Sequence, residues 1–162
     1  MTMTKRTFAL LAASAALALA GCASTPAPAT ITDTAARTPQ LSTLTKLLND
    51  AGLADTLRGA GPFTVFAPSD EAFKAVPAAT LEQLAKDKAL LTAVLTYHVV
   101  PGKVMAAEVK TGNAKTVQGA NVALSKAGTF VTVEDAVVTQ ADVAATNGVV
   151  HVIDKVLMPP RR

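Results

Sequence analysis

The spacing of apolar residues changes part-way along the chain, and this change limits the possible folds more than any other feature. Between residues 41 and 95 the apolar residues recur mostly at intervals of three or four, as in Leu41, Leu44 and Leu48. That is the period of a helix that buries one face. From residue 97 onward, short β-branched and alternating stretches favour strands. Helices followed by many short strands predict an α+β fold with a largely antiparallel sheet.

Local signals place the predicted helices. Thr38 as N-cap and Pro39 as first helical residue indicate a helix start. Ser69 is an N-cap candidate after a strand at residues 63–67, and two acidic residues follow it. Thr80 and Gln83 have the spacing of a capping box, and residues 87–95 predict one more helix.

The predicted strands alternate in the direction of their side chains. In the strand at residues 63–67, Val65 and Ala67 should face one side, and Thr64 and Phe66 the other. Six further strands are predicted after the helices, with a hairpin between the second and the third of them. These strands cover residues 97–100, 121–125, 129–133, 136–140, 149–153 and 156–158.

The N-terminal segment has the pattern of an export signal. Basic Lys5 and Arg6 precede an apolar run at residues 8–19, which is shorter than the roughly 20 residues of a transmembrane helix. The end of this run, Leu-Ala-Gly-Cys at residues 19–22, resembles the bacterial lipobox. The resemblance implies a signal peptide at residues 1–21, cleavage before Cys22, and diacylglycerol with fatty acids such as palmitate on that residue. The alternative is an ordinary secretory signal that happens to be followed by a cysteine.

Cys22 is the only cysteine, so the chain cannot form an internal disulfide and its folded part depends on a hydrophobic core. Residues 23–38 are small and polar with two prolines, which predicts a flexible tether over residues 22–38. Such a tether would reach roughly 20–25 Å. The folded domain is predicted at residues 39–160.

Charge argues against nucleic acid as a partner. Removing residues 1–21 leaves 13 basic and 12 acidic side chains, so the net charge falls from +3 to +1. The chain also has no tryptophan and one tyrosine, and it lacks the basic, aromatic surface typical of nucleic-acid binding.

Three segments together resemble the conserved boxes of the fasciclin (FAS1) domain family, in the order and spacing of that family. They are Gly-Pro-Phe-Thr-Val-Phe-Ala-Pro-Ser-Asp-Glu-Ala-Phe at residues 61–73, Leu-Thr-Tyr-His-Val-Val-Pro-Gly at residues 95–102, and Thr-Asn-Gly-Val-Val-His-Val-Ile-Asp-Lys-Val-Leu-Met-Pro at residues 146–159. The resemblance covers residues 39–160. It implies a β-wedge of twisted, largely antiparallel sheets with several packed helices, an extracellular or cell-envelope location, and adhesion or macromolecular binding.

The resemblance also supplies candidate binding residues. Tyr97 and His98 match the family's Tyr-His pair, which is largely structural but lies in a region tied to integrin binding in animal members. Asp142 and Val143 lie where animal members of the family have an integrin-binding motif. Of that motif, only the aspartate is identical here. Asp142 could equally be a turn residue. His151 lies among valine and isoleucine and is interpreted as a core or sheet histidine.

Motifs of catalysis and metal binding are missing from the sequence. It contains no His-x-His or His-Glu-x-x-His spacing, no Gly-x-Ser-x-Gly and no phosphate-binding glycine loop. We therefore expect no catalytic residues, no metal and no cofactor, and an enzyme or metal carrier is the weakest of the hypotheses.

Two functions remain open at this stage. The first is a non-enzymatic, lipid-anchored membrane protein that binds an envelope, matrix or host macromolecule. The second is a periplasmic envelope or stress-related protein without an adhesive role. An aspartate directly after the lipidated cysteine would resemble a signal that retains a lipoprotein in the inner membrane. This position is Ala23, which indicates the outer membrane, with the protein on its periplasmic leaflet or at the cell surface. The sequence does not determine the oligomeric state.

Overall fold

The fold is seen in a computed structural model, which describes residues 29–160. The predicted signal peptide, its cleavage site and Cys22 lie outside the described residues. Within residues 29–160, no helix is both long and apolar enough to cross a membrane.

The described part contains six α-helices, one short 3-10 helix and seven strands, in the order helices first and strands later. This confirms the α+β class, with one strand placed among the helices. The helices are α1 Ile31–Arg37, a 3-10 helix Pro39–Leu41, α2 Ser42–Asp50, α3 Ala54–Arg58, α4 Asp70–Ala75, α5 Ala78–Lys86 and α6 Lys88–Tyr97. The strands are β1 Phe63–Pro68, β2 Val99–Pro101, β3 Gly112–Lys115, β4 Asn121–Ala127, β5 Phe130–Val133, β6 Ala136–Ala145 and β7 Gly148–Ile153.

The seven strands form a twisted sheet in the order β2-β1-β7-β6-β5-β4-β3. Five of its neighbouring pairs are antiparallel, and β1 with β7 is parallel. The amide of Val117, just after β3, donates to the carbonyl of Val99 in β2 at 2.8 Å. This contact nearly closes the wedge, because it joins the two ends of the strand order.

Two clusters of buried side chains pack on the two faces of β1. Val65 and Ala67 belong to the cluster under the helices, and Phe66 belongs to the cluster inside the wedge. The predicted alternation of this strand is therefore confirmed. Ser69 caps α4 as predicted, because its hydroxyl accepts from the amide of Ala72 at 3.2 Å.

The tether prediction is wrong for residues 30–38. Thr30 caps α1 through a capping box with Asp33, and α1 buries Ile31 completely against the helical cluster. The composition of this segment hid the helix, because Ile31 is its one large apolar residue and threonine and alanine fill most of the rest. The packed domain thus begins at least eight residues before the predicted boundary at residue 39.

Several predicted element boundaries are also wrong. Thr38 makes no side-chain cap for the 3-10 helix, and α5 begins at Ala78, so Thr80 lies inside a helix and does not cap one. Tyr97 ends α6 and His98 is the residue that follows it, so the strand begins only at Val99. Residues 156–158 form no strand.

Candidate functional site

Tyr97 is buried at the C-terminal end of α6, with 1% of its surface exposed. Its hydroxyl donates to the carboxylate of Glu134 and lies 3.1 Å from the carbonyl oxygen of Asn121. Burial, followed by the hydrogen bond to Glu134 and the charge of that residue, raises the pKa of Tyr97 above its usual range. The side chain therefore stays neutral and joins α6 to β4 and to the turn after β5.

His98 follows Tyr97 and is buried as well, with 2% exposed. Its Nδ1 donates to the carbonyl of Val94 at 2.7 Å, and its Nε2 accepts from the amide of Leu157 at 3.0 Å. Burial lowers the pKa of His98 to about 4, and the hydrogen bond to Val94 opposes only part of this effect. The neutral ring thus ties α6 to the C-terminal segment.

His151 occupies an equivalent bridging position on β7. Its Nδ1 accepts from the amide of Asp142 at 3.2 Å, and its Nε2 donates to the carbonyl of Val104 at 2.8 Å. The ring also stacks on Phe66, with ring centroids 5.6 Å apart. Both ring nitrogens are therefore used inside the fold, as expected for a core or sheet histidine.

Asp142 lies at an irregularity of β6, where the pairing register with β7 shifts between Gln140 and Val143. Its φ angle is 56°, in the left-handed region that aspartate tolerates better than most residues. The carboxylate accepts from the amide of Ala106 at 2.8 Å and holds the loop after β2 against β6. Val143 beside it is half-buried against the helical cluster.

The structure does not bring the four candidate binding residues to one surface. Asp142 is exposed, whereas Tyr97 and His98 are enclosed in the core and Val143 is half-buried. Direct contact of Tyr97 or His98 with a partner is incompatible with this burial. A binding role for these residues stays a prediction, and for Tyr97 and His98 it would have to act through the fold.

A polar cleft of about 580 Å³ lies at the C-terminal ends of β1 and β7. Asp70 on its wall accepts from the amide of Thr43 at 2.8 Å and from the hydroxyl of Ser42 at 2.7 Å. Burial would raise the pKa of Asp70, but these hydrogen bonds outweigh it and lower the pKa below the usual value. The full lining is Pro39, Gln40, Ser69, Asp70, Glu71, Lys74, Thr139 and Asp154.

The cleft offers hydrogen-bond acceptors more than reactive groups. Asp154 accepts from the amide of Val137 at 2.7 Å, and the hydroxyl of Ser69 is occupied as a helix cap. Glu71 and Lys74 are exposed. Within residues 29–160, no three or more histidine, cysteine or acidic residues are grouped so that they could hold a metal ion.

Asn147, in the turn between β6 and β7, connects three parts of the fold. Its side-chain oxygen accepts from the amide of Ile31 at 2.9 Å. Its amide nitrogen donates to the carbonyls of Leu57 at 2.6 Å and Gly59 at 3.1 Å. A turn signal at Asn147 and Gly148 was visible in the sequence, but these partners were not, since they lie 88 to 116 residues away.

The sequence comparison agrees with this geometry. A family model described as "Fasciclin domain" matches residues 39–159, which is most of the chain. The chain belongs to the fasciclin domain family. In this fasciclin domain the conserved boxes contribute β1, the end of α6 and β7, the elements whose packing holds the two core clusters together.

Similar proteins come from several bacteria. Protein sll1483 of Synechocystis is 44% identical over 140 residues, which cover 85% of this chain and 78% of that protein. Immunogenic protein MPB70 of Mycobacterium bovis is 42% identical over 131 residues, which cover 78% of this chain and 67% of that protein. Cell surface glycolipoprotein MPB83 of the same species is also 42% identical over 131 residues, covering 78% of this chain and 59% of the relative.

A solved structure supports the same fold. A FAS1 domain pair from the insect cell adhesion molecule fasciclin I matches with a TM-score of 0.65 and 18% identity. The match covers 81% of this chain and 51% of the insect chain. The wedge of sheet and helices is therefore the fasciclin fold.

Proposed function

We propose that this protein is an exported lipoprotein whose fasciclin domain is a non-enzymatic adhesion or binding module of the cell envelope. The observation that carries the proposal is the 42% identity to a relative named cell surface glycolipoprotein. The lipobox-like residues 19–22 support it independently, because they would place the acyl chains on Cys22. Two or more acyl chains anchor a protein stably, whereas one chain binds only marginally.

The chemistry of the core supports binding more than catalysis. Among the described residues, every buried side-chain nitrogen or oxygen has a hydrogen-bond partner. His98 and His151, the two histidines of the chain, both use their ring nitrogens to join elements of the fold. Because these buried groups are used inside the fold, a partner would bind the exposed surface of the domain. The class of partner that we favour is an envelope, matrix or host macromolecule.

A periplasmic role without adhesion is the second candidate. It is favoured by the short segment between Cys22 and the first residues of the packed domain. Since Thr30 already caps α1, only seven residues, 22–28, connect a lipidated Cys22 to Ala29. Even fully extended they span about 25 Å at most. A domain anchored to the periplasmic leaflet of an outer membrane would therefore stay beneath it.

Cell fractionation of the wild type and Cys22→Ser tests the anchor. We expect the wild-type protein in the membrane fraction, with the mass of two or three acyl chains, and the variant in the soluble exported fraction. Membrane retention of an unacylated Cys22→Ser protein would contradict lipid anchoring.

Protease treatment of intact cells separates the two locations. Digestion of the wild-type domain, together with a loss of cell attachment in a deletion strain, supports adhesion. Protection of the domain in cells whose surface proteins are digested would rule out a surface adhesin and favour the periplasmic role.

A further inference from the structure

We infer that one end of the domain, the entry pole, faces the lipid surface, and that the polar cleft faces away from it. The entry pole consists of residues 58–62, residues 101–103 and the turn Thr146–Asn147. This inference rests on the proposed lipid anchor at Cys22. It goes further, because it assigns a surface of the folded domain to the membrane and leaves the opposite surface for other partners.

The position of Ala29 defines the entry pole. The carbonyl of Ala29 accepts from the amide of Thr146 at 2.9 Å and from its hydroxyl at 3.2 Å. The next turn, from Ala29 into α1, is fixed by the bond from the amide of Ile31 to Asn147. The chain therefore enters the domain at the β6–β7 turn.

The other two segments of the entry pole are bonded to this turn or to each other. The side-chain amide of Asn147 donates to the carbonyl of Gly59, and the backbone carbonyl of Asn147 accepts from the amide of Phe63 at 3.0 Å. The amide of Gly102 donates to the carbonyl of Pro62 at 2.9 Å. Gly61 has to be a glycine here, because a Cβ atom would lie 2.0 Å from the carbonyl oxygen of Asn147. The three segments thus form one compact surface.

The polar cleft lies at the opposite end of the same strands. β1 and β7 are parallel and both begin at the entry pole, with Phe63 beside Gly148, and end at the cleft, with Pro68 beside Ile153. Strands of six residues separate the two ends by about 17 Å along the sheet. A domain of this length is about 35 Å across in total.

These lengths decide the orientation. With the cleft on the membrane, Ala29 would lie beyond the opposite ends of β1 and β7, at least about 17 Å farther from the lipid. The seven residues from Cys22 to Pro28 span this distance only when nearly fully stretched to about 25 Å, whereas their relaxed reach as a flexible coil is about 13–16 Å. Chain entropy therefore favours the entry pole at the lipid surface.

The exposed residues of the entry pole suit proximity to lipid headgroups without deep insertion. Ala60 and Pro62 are exposed, and Arg58 and Lys103 supply positive charge. Arg58 pairs with Asp55 at 3.0 Å, so the two cations and this one acid leave a net charge of only about +1 at this pole. The orientation would depend on the short connection to Cys22 and not on electrostatic attraction.

Fluorescence quenching on vesicles tests the orientation with two matched probes. Ala60→Cys places a thiol on the entry pole, and Gln40→Cys places one on the cleft; both sites are exposed. The full lipidated chain is labelled with a fluorophore, since Cys22 is blocked by lipid, and is reconstituted into phosphatidylethanolamine–phosphatidylglycerol vesicles that carry a headgroup quencher. We expect quenching at residue 60 to be several-fold stronger than at residue 40.

A spacer variant supplies the control. Twelve glycine and serine residues inserted between Pro28 and Ala29 raise the fully stretched reach from about 25 Å to about 65 Å, so the difference between the two probes should largely disappear. Equal quenching of both probes without the spacer would overturn the inferred orientation while the anchor remained intact. Failure of the acylated chain to float with vesicles would instead overturn the proposed anchoring.

Discussion

Phe66 is, with Tyr97, one of the two largest fully buried side chains inside the wedge. It is 1% exposed, belongs to the cluster inside the wedge and stacks on His151. We expect Phe66→Ala to lower the free energy of unfolding by about 3–5 kcal/mol, because it leaves a cavity in a packed core. Urea denaturation of residues 29–160 measures this change.

Phe130 is the matched control for Phe66. It lies at the start of β5 and is 67% exposed, so Phe130→Ala removes little buried surface. Its effect should stay within about 0.5 kcal/mol. A loss of less than about 1 kcal/mol for Phe66→Ala would contradict its assignment to the core.

His98 makes the stability of the domain depend on pH. Its pKa is about 4 in the folded protein and about 6.5 in the unfolded chain, so the unfolded state binds more protons between these values. The stability from this residue is present above pH 6.5 and is lost as the pH falls towards 4. We expect a loss of about 2 kcal/mol between pH 7 and pH 5 in urea unfolding.

The variant His98→Gln identifies the source of this pH dependence. Glutamine does not titrate, so the variant should be less stable than the wild type at pH 7 and should lack the loss of about 2 kcal/mol between pH 7 and pH 5 that comes from His98. An unchanged slope in His98→Gln would assign the pH dependence to another group.

At the scale of elements, Asp70 couples two helices that are distant in sequence. It lies in the first turn of α4, but its carboxylate accepts from Ser42 and Thr43 at the start of α2. We expect Asp70→Ala to cost about 1–2 kcal/mol in thermal or urea unfolding, the usual effect of removing a helix cap. The neighbouring Glu71→Ala should change stability by less than about 0.5 kcal/mol, because Glu71 is exposed. Equal effects of the two substitutions would disprove the cap.

An element could be predicted from the sequence where the spacing of its apolar residues and the residues at its ends indicate the same structure. The strand at residues 63–67 was predicted with its two faces, because alternation, a terminal proline and a capping serine all agree there. Helix α1 was missed because its stability comes from the burial of Ile31 beside Gly148, which is a tertiary contact. The sequence predicts a strand for Tyr97 and His98 because no glycine or proline separates the helical spacing of residues 87–95 from Val99 and Val100.

The polar cleft could not be predicted by the same means. Two of its three acidic residues, Asp70 and Asp154, line the same cleft only because β1 pairs in parallel with β7, which is near the other end of the sequence. Sequence motifs pointed instead to Tyr97 and His98, whose chemistry the fold uses internally. The motif residues of this family explain how the wedge is held together, while the surface that faces a partner is determined by topology.

On the scale of the whole molecule, the two core clusters share one sheet and should unfold together. Val65 and Phe66 are neighbours on β1 but pack in different clusters, so disrupting one face exposes the other. Ile31 lies in the helical cluster, and Tyr97, the only tyrosine in a chain without tryptophan, lies in the other. Tyr97 fluorescence therefore reports on the cluster that does not contain Ile31.

This separation gives a test of cooperativity. Ile31→Ala should lower the stability by about 2–5 kcal/mol. Because the clusters are coupled through β1, the urea midpoint should fall by the same amount when followed by Tyr97 fluorescence and by far-ultraviolet circular dichroism. Arg37→Ala, on the exposed end of the same helix, is the control and should leave both midpoints in place. A Tyr97 midpoint that stays at its wild-type value while the circular dichroism midpoint falls would mean that the helical cluster unfolds separately from the wedge.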